Sequence, residues 1–244
     1  MTTEAMDLTR LEHILLIRMG KVYKFFLNFF RRSNLITFII FRIPVRRKAH
    51  ERTWDLTTLV LKKAIDKYIG DNEKEILDMG CGHVAILSQY IKKNYGLSNV
   101  TGADIYKDFV ETAKFNTKKN NFDITVLKSD LYQNIQDKYD YIIFNPPYVP
   151  KQKIKMKYKK TKFSGKDGTY ITRKFLSESK KFLKRKGKIL IGINCFYINS
   201  NKMRVIAEEC GYRIEDVVTS RFNTSKVFVL SCAQRSTGDI DENN

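Results

Sequence analysis

The apolar run Tyr141-Ile142-Ile143-Phe144 ends abruptly in Asn145-Pro146-Pro147-Tyr148. Two consecutive prolines fix φ and remove two backbone donors, so a strand must stop there. Asn145 precedes a proline and is pushed out of the helical region. Its side-chain carbonyl and the carbonyls around Pro146 are then acceptors in a stiff loop with little competition from local N–H groups. Such a loop suits gripping an NH2 group, and Tyr148 adds a flat face on which a planar group can stack. Three of the four prolines of the chain, Pro146, Pro147 and Pro150, fall in this loop. The plainer reading of the same residues is a strand-ending turn without chemistry.

A second group of residues could hold a ligand beside that loop. Glu75 to Met79 reads as a strand, and Gly80-Cys81-Gly82 follows it as a turn that lets the backbone approach a ligand and aims the next helix, Val84 to Lys93, at it. Asn99 to Asp104 is a second short strand, and its terminal acid follows Gly80 by 24 positions. An acid at that place can take a ribose hydroxyl pair, so the spacing argues for a ribose-bearing cofactor. An exposed strand-end aspartate is the plain alternative. Asp123 to Lys128 reads as a third strand with Ser129-Asp130 at its carboxyl end, which makes Asp130 the second candidate contact.

The elements that must position these residues follow a βα alternation. Trp54 to Tyr68 and Asp108 to Lys119 carry apolar residues at helical spacing, and Tyr139 to Phe144 is the fourth strand. A helix is expected from Tyr170 to Lys184, a fifth strand from Lys188 to Ile193, a helix from Asn201 to Cys210, and a closing strand pair at Tyr212 to Val218 and Lys226 to Cys232. The fold class is α/β: a mostly parallel sheet with helices on both faces, which brings all four motifs to one sheet edge. The expected organisation is a basic amphipathic helical extension over 1–53, the main domain over 54–235, and a polar tail over 236–244.

Charge and composition narrow the function classes. The 244 residues are 43% hydrophobic, enough for a substantial core, and 45 Lys and Arg against 26 Asp and Glu give a net charge of +19. That bias suits phosphates, an acidic partner or an anionic surface, or reflects a lysine-rich proteome. Its densest run is Lys151, Lys153, Lys155, Lys157, Lys159, Lys160 and Lys162, read either as a substrate-facing segment or as a solvated loop. Cys81, Cys195, Cys210 and Cys232 form no CxxC pair, so neither a metal site nor a disulfide framework is expected, and a cytoplasmic setting fits. In the extension, helices are expected from Thr9 to Arg32 and from Leu35 to Phe41, too interrupted by charge to span a bilayer. Their aromatic face has two destinations, the main domain as a cap or a membrane surface touched peripherally by residues 9–41.

From about Thr53 to Ala233 the chain resembles class I S-adenosylmethionine-dependent methyltransferases of the N-methylating, Asn-Pro-Pro-Tyr group, with their Rossmann-like sheet. The resemblance implies S-adenosyl-L-methionine as cofactor, with Asp78, Gly80, Cys81 and Gly82 around its methionine end. It places Asp104 at the ribose and Asp130 at the adenine amino group, with Ile105 and Leu131 also among the cofactor-binding residues. Asn145, Pro146, Pro147 and Tyr148 would hold the target nitrogen, and Asn145 also borders the cofactor. Gly165-Lys166-Asp167-Gly168, Arg173 and Phe175 resemble the HemK-type enzymes that methylate the glutamine of translation release factors. Ser220-Arg221-Phe222 with Lys226 to Leu230 resembles the short archaeal and eukaryotic branch. Val84 stands where such turns carry a third glycine, and Ala49 to Trp54 lacks the proline usual before the first helix. The expected function is methyl transfer to a planar NH2 nitrogen, of a release-factor glutamine or, alternatively, of adenine N6 in RNA or DNA. A non-catalytic binding subunit is the third reading.

Overall fold

The computed structural model describes residues 26–47, 51–70, 72–96, 98–149, 165, 167–220 and 224–233. The basic run 151–162 and the tail 236–244 therefore lie outside the described residues, as does most of the helix expected from Thr9.

Seven strands form one sheet in the order β3-β2-β1-β4-β5-β7-β6. They are β1 Glu75–Met79, β2 Asn99–Asp104, β3 Thr125–Lys128, β4 Tyr139–Phe144, β5 Leu183–Asn194, β6 Tyr212–Thr219 and β7 Ser225–Cys232. The first five are parallel to their neighbours, while β7 runs antiparallel between β5 and β6. Chain order reverses at β1, whose neighbours are β2 on one side and β4 on the other, and such a switch point opens a crevice at the carboxyl ends of the strands. This is the Rossmann-like α/β sheet expected from the alternation of patterns.

The helices are α1 Asn34–Phe41, α2 Leu56–Tyr68, α3 Ile86–Asn94, α4 Lys107–Lys119, α5 Tyr170–Ser179 and α6 Ser200–Glu209. Among the described residues no helix is long and apolar enough to cross a membrane. The expectation of one helix from Tyr170 to Lys184 needs correction. The helix stops at Ser179, a 3-10 turn covers Lys180–Phe182, and β5 begins at Leu183 instead of Lys188. Lys184, Arg185 and Lys186 are exposed, yet the strand begins before them, Leu183 lying opposite Tyr139.

Two apolar cores sit on the two faces of the sheet. One gathers Phe144, Phe175, Ile191, Met203 and Tyr212; the other gathers α2, Tyr90 and Ile91 with Phe41, Ile43 and Val45. Residues 34–47 thus pack on the main body as a cap. Buried hydroxyls of Thr37 and Thr53 meet at 2.6 Å, Arg46 N donates to Asn116 Oδ1 at 2.6 Å, and Asn116 Nδ2 returns a bond to Arg46 O at 2.9 Å.

Candidate active site

The register of the central strands brings the sequence-predicted groups to one edge. Met79 lies opposite Phe144 on one side and Ala103 on the other, so Gly80, Asn145 and Asp104 emerge side by side at the strand ends. A cleft of about 730 Å³ opens over them. Gly80, Gly82, Asp104, Ile105, Asp130, Leu131, Asn145, Pro146, Pro147 and Tyr148 all line it.

The glycine turn is shaped by its backbone. Gly80 and Gly82 take φ of +66° and +70°, which residues with a Cβ rarely adopt. A Cβ on Gly82 would meet nothing within 4 Å, so the backbone there faces open space. Asp104 Oδ2 accepts from Gly82 N and Oδ1 from Tyr106 N, each at 3.0 Å, locking the turn to the end of β2. Burial pushes the Asp104 carboxyl above its ordinary range, against backbone donors from Tyr106, Gly82 and Ile105. Val84, in place of a third glycine, is buried among apolar residues, and the left-handed conformation falls instead on Ala85 at φ +45°.

Asp78 and Cys81 lie behind the turn and not among the residues lining the cleft. Asp78 Oδ2 accepts from Ser88 N at 3.1 Å and Ser88 Oγ at 2.6 Å, so its carboxylate ties β1 to α3. Burial pushes its pKa up to about 6, with the Ser88 bonds opposing and the Asp104 charge reinforcing the shift. Burial likewise pushes the Cys81 thiol up, away from thiolate chemistry. His83, in the turn, has Nε2 3.4 Å from Glu51 and its ring 5.4 Å from that of Phe109.

At the loop after β4, Asn145 Nδ2 donates to Asp55 Oδ1 at 3.2 Å. Its Oδ1 is buried and has no hydrogen-bond partner within the described residues. An unsatisfied buried acceptor is costly unless a ligand supplies the donor. The Tyr148 hydroxyl lies 2.9 Å from Thr57 Oγ1 and donates to Asp55 Oδ2 at 3.4 Å, and its ring stacks on Tyr197 with centroids 5.9 Å apart. Burial and the charge of Asp55 push the Tyr148 phenol above its ordinary range, so it stays protonated.

Asp55 lines the cleft, and the sequence reading passed it over. It is the N-cap of α2 in a capping box with Thr58, whose N–H it accepts at 2.8 Å while its own N–H is received by Thr58 Oγ1 at 3.1 Å. The signal was present, since an aspartate three residues before a threonine opens the helical pattern. A helix start placed at Trp54 hid it. Gly192 of β5 lets α2 come this close: a Cβ there would stand 2.5 Å from Thr57 Cγ2. Arg31, Arg52 and Lys174 complete the cleft walls and were not anticipated either.

Residues 50–216 match the family described as the methyltransferase small domain. The chain belongs to this family. It is 33% identical over 153 residues to a protein of Methanocaldococcus jannaschii that bears the name protein N5-glutamine methyltransferase, covering 60% of this chain and 75% of that protein. The release factor glutamine methyltransferase of Streptococcus pneumoniae is 31% identical over 149 residues, 58% of this chain and 51% of its own length. Ribosomal RNA small subunit methyltransferase C of Haemophilus influenzae is 28% identical over 174 residues, 71% of this chain and 47% of that protein. The chain thus spans about half the length of the two bacterial relatives. Among solved structures, a methyltransferase from Pyrococcus furiosus shares the fold at a TM-score of 0.61 and 18% identity, covering 88% of this chain and 96% of that one.

The protein is an S-adenosylmethionine-dependent methyltransferase. The residues present fit that cofactor: the open glycine turn and the Asp104 carboxylate lie along one cleft, and Asn145 brings an unpaired acceptor to the same edge. Among the described residues no group of three or more His, Cys, Asp or Glu could hold a metal.

Proposed function

We propose that the protein methylates the side-chain amide nitrogen of a glutamine, in a translation release factor. The observation that carries this reading is the unpaired, buried Oδ1 of Asn145, whose amide is held in one orientation by Asp55. It supplies an acceptor for which no donor is found among the described residues. The names of the M. jannaschii and S. pneumoniae relatives support glutamine as the owner of that donor.

An amide nitrogen is a poor nucleophile because its lone pair is delocalised into the carbonyl. Asn145 Oδ1 takes one N–H of the target and the Pro146 carbonyl takes the other. Both acceptors favour the rehybridised nitrogen, and the stiffness of Pro146-Pro147 keeps their spacing fixed. The cofactor supplies an electrophilic methyl group on a sulfonium. Asp104 would hold its ribose hydroxyls, with Asp130 toward the adenine and the Gly80 to Gly82 backbone toward the methionine end. Tyr148, pinned by Thr57 and Asp55, forms a wall of the acceptor pocket. Positioning of this kind accounts for about 7–11 kcal/mol of barrier reduction when the reacting atoms are aligned.

Adenine N6 presents the same planar NH2, and the net charge of +19 favours this second reading. Incubation with methyl-labelled cofactor and either a release factor or total RNA and DNA separates the two. Label is expected in the release factor, on glutamine. Label found only in protease-resistant nucleic acid refutes the proposal.

A further inference from the structure

The solvent-facing side of the extension is apolar where a soluble helix is polar. In α1, Leu35, Phe38 and Ile39 are 67%, 41% and 50% exposed, while Thr37 and Phe41 on the other side are buried. These outward positions follow i, i+3, i+4, so they form one stripe, and exposed Arg42 continues it at i+7. The helical residues 26–31 repeat the pattern, with Phe26, Phe29 and Phe30 exposed by 51%, 64% and 41%. Two consecutive helical segments thus turn large apolar side chains outward, and in α1 the opposite face, with Phe41, serves the core.

The charge around the stripes has one sign. From His13 to His50 the sequence carries nine Lys or Arg and no Asp or Glu. Burial, and after it the neighbouring Arg32 charge, hold the Arg47 guanidinium below its ordinary value, with Glu51 opposing. Exposed Arg46 sits over the Phe115 ring at 5.0 Å, and Lys93 Nζ reaches Arg42 O at 2.6 Å. Aromatic and aliphatic stripes within a cationic, acid-free segment match the chemistry of an anionic bilayer surface, whose headgroups take the charges while the apolar side chains enter the acyl boundary. A second copy of the chain fits worse, because a self-complementary contact would press this basic segment against itself.

We infer that the face formed by residues 26–42 docks the enzyme on an anionic lipid surface. The cleft would then open near that surface, since Arg31, at the end of the first stripe, lines it.

The test uses the full chain and sedimentation with phosphatidylcholine vesicles with and without phosphatidylserine. Binding is expected only with phosphatidylserine and weaker at high salt. The double substitution Leu35→Ser, Ile39→Ser should weaken it by about ten-fold or more, because it removes the apolar share of the contact. Both positions are exposed, so melting temperature and cofactor affinity by calorimetry should stay near those of the parent. Three results overturn the inference: no sedimentation of the parent protein, sedimentation that the double variant leaves unchanged, or a dimer in solution that the double variant dissolves.

Discussion

Replacing Asp55 by serine separates two duties that one carboxylate performs. Asp55 Oδ1 accepts from Thr58 N at 2.8 Å as the helix cap and from Asn145 Nδ2 at 3.2 Å as the amide anchor. Serine is as good an N-cap as aspartate but too short to reach Asn145, so α2 should keep its stability within about 1 kcal/mol. The anchor is a hydrogen bond to a charged acceptor at the long end of the usual distance range, worth about 1.5–2 kcal/mol. Without it the Asn145 amide is no longer held with Oδ1 toward the target nitrogen, and binding of the transition state must supply that ordering itself. The expected loss is about 10- to 30-fold in kcat/KM for methyl transfer, measured as initial rates with methyl-labelled cofactor, with cofactor affinity near that of the parent. Asp55→Asn keeps an acceptor oxygen at both bonds and should lose only a few-fold. Parental kcat/KM in Asp55→Ser would refute the anchoring role, and an equal loss in Asp55→Asn would show that charge, not orientation, matters.

Asn145→Ala is expected to abolish transfer while leaving cofactor affinity within a few-fold by calorimetry; a large loss of cofactor binding contradicts the role given to this side chain. Gly192→Ala places a Cβ 2.5 Å from Thr57 Cγ2 and 3.0 Å from Leu61 Cδ1. It should lower stability by about 1–3 kcal/mol in urea unfolding, and an unchanged midpoint would mean that α2 shifts without cost. Asp78 has a folded pKa of about 6 against 3.8 for the free side chain, so the folded state binds the proton more tightly. Its stabilising contribution is complete below about pH 4 and is lost as pH rises through about 6, amounting to at most about 3 kcal/mol. Urea unfolding of the parent and of Asp78→Asn across that window should diverge toward higher pH, and parallel curves would contradict the assignment.

The strands that carry chemistry were the most legible part of the chain. β2 and β4 run over the expected residues, Asn99–Asp104 and Tyr139–Phe144; Gly96 stands before the first and Pro146-Pro147 stop the second. The edge at which Gly80, Asp104 and Asn145 meet follows from that alternation. What stayed hidden depended on tertiary context. Leu183 and Lys184 were expected at a helix end, and the pairing of Leu183 with Tyr139 of β4 makes them strand. Asp55 stands 90 positions before Asn145, and their contact requires α2 to lie over Gly192. The pattern of α1 left the destination of its aromatic face open, and packing sends Phe41 inward while Phe38 stays exposed; Arg31 in the cleft wall depends on how Thr53 receives it, N–H to Arg31 O at 3.2 Å.

The cap of α2 links the competence of the site to a helix end. Terminal turns open far more often than whole domains, with free energies well below that of global unfolding. Each opening of the first turn of α2 withdraws the carboxylate that holds both Asn145 and Tyr148. On the anchoring role given to Asp55, the active fraction should track the closed population of one helical turn, and solvent exchange of the Thr58 amide proton, hydrogen-bonded to Asp55, should report the openings.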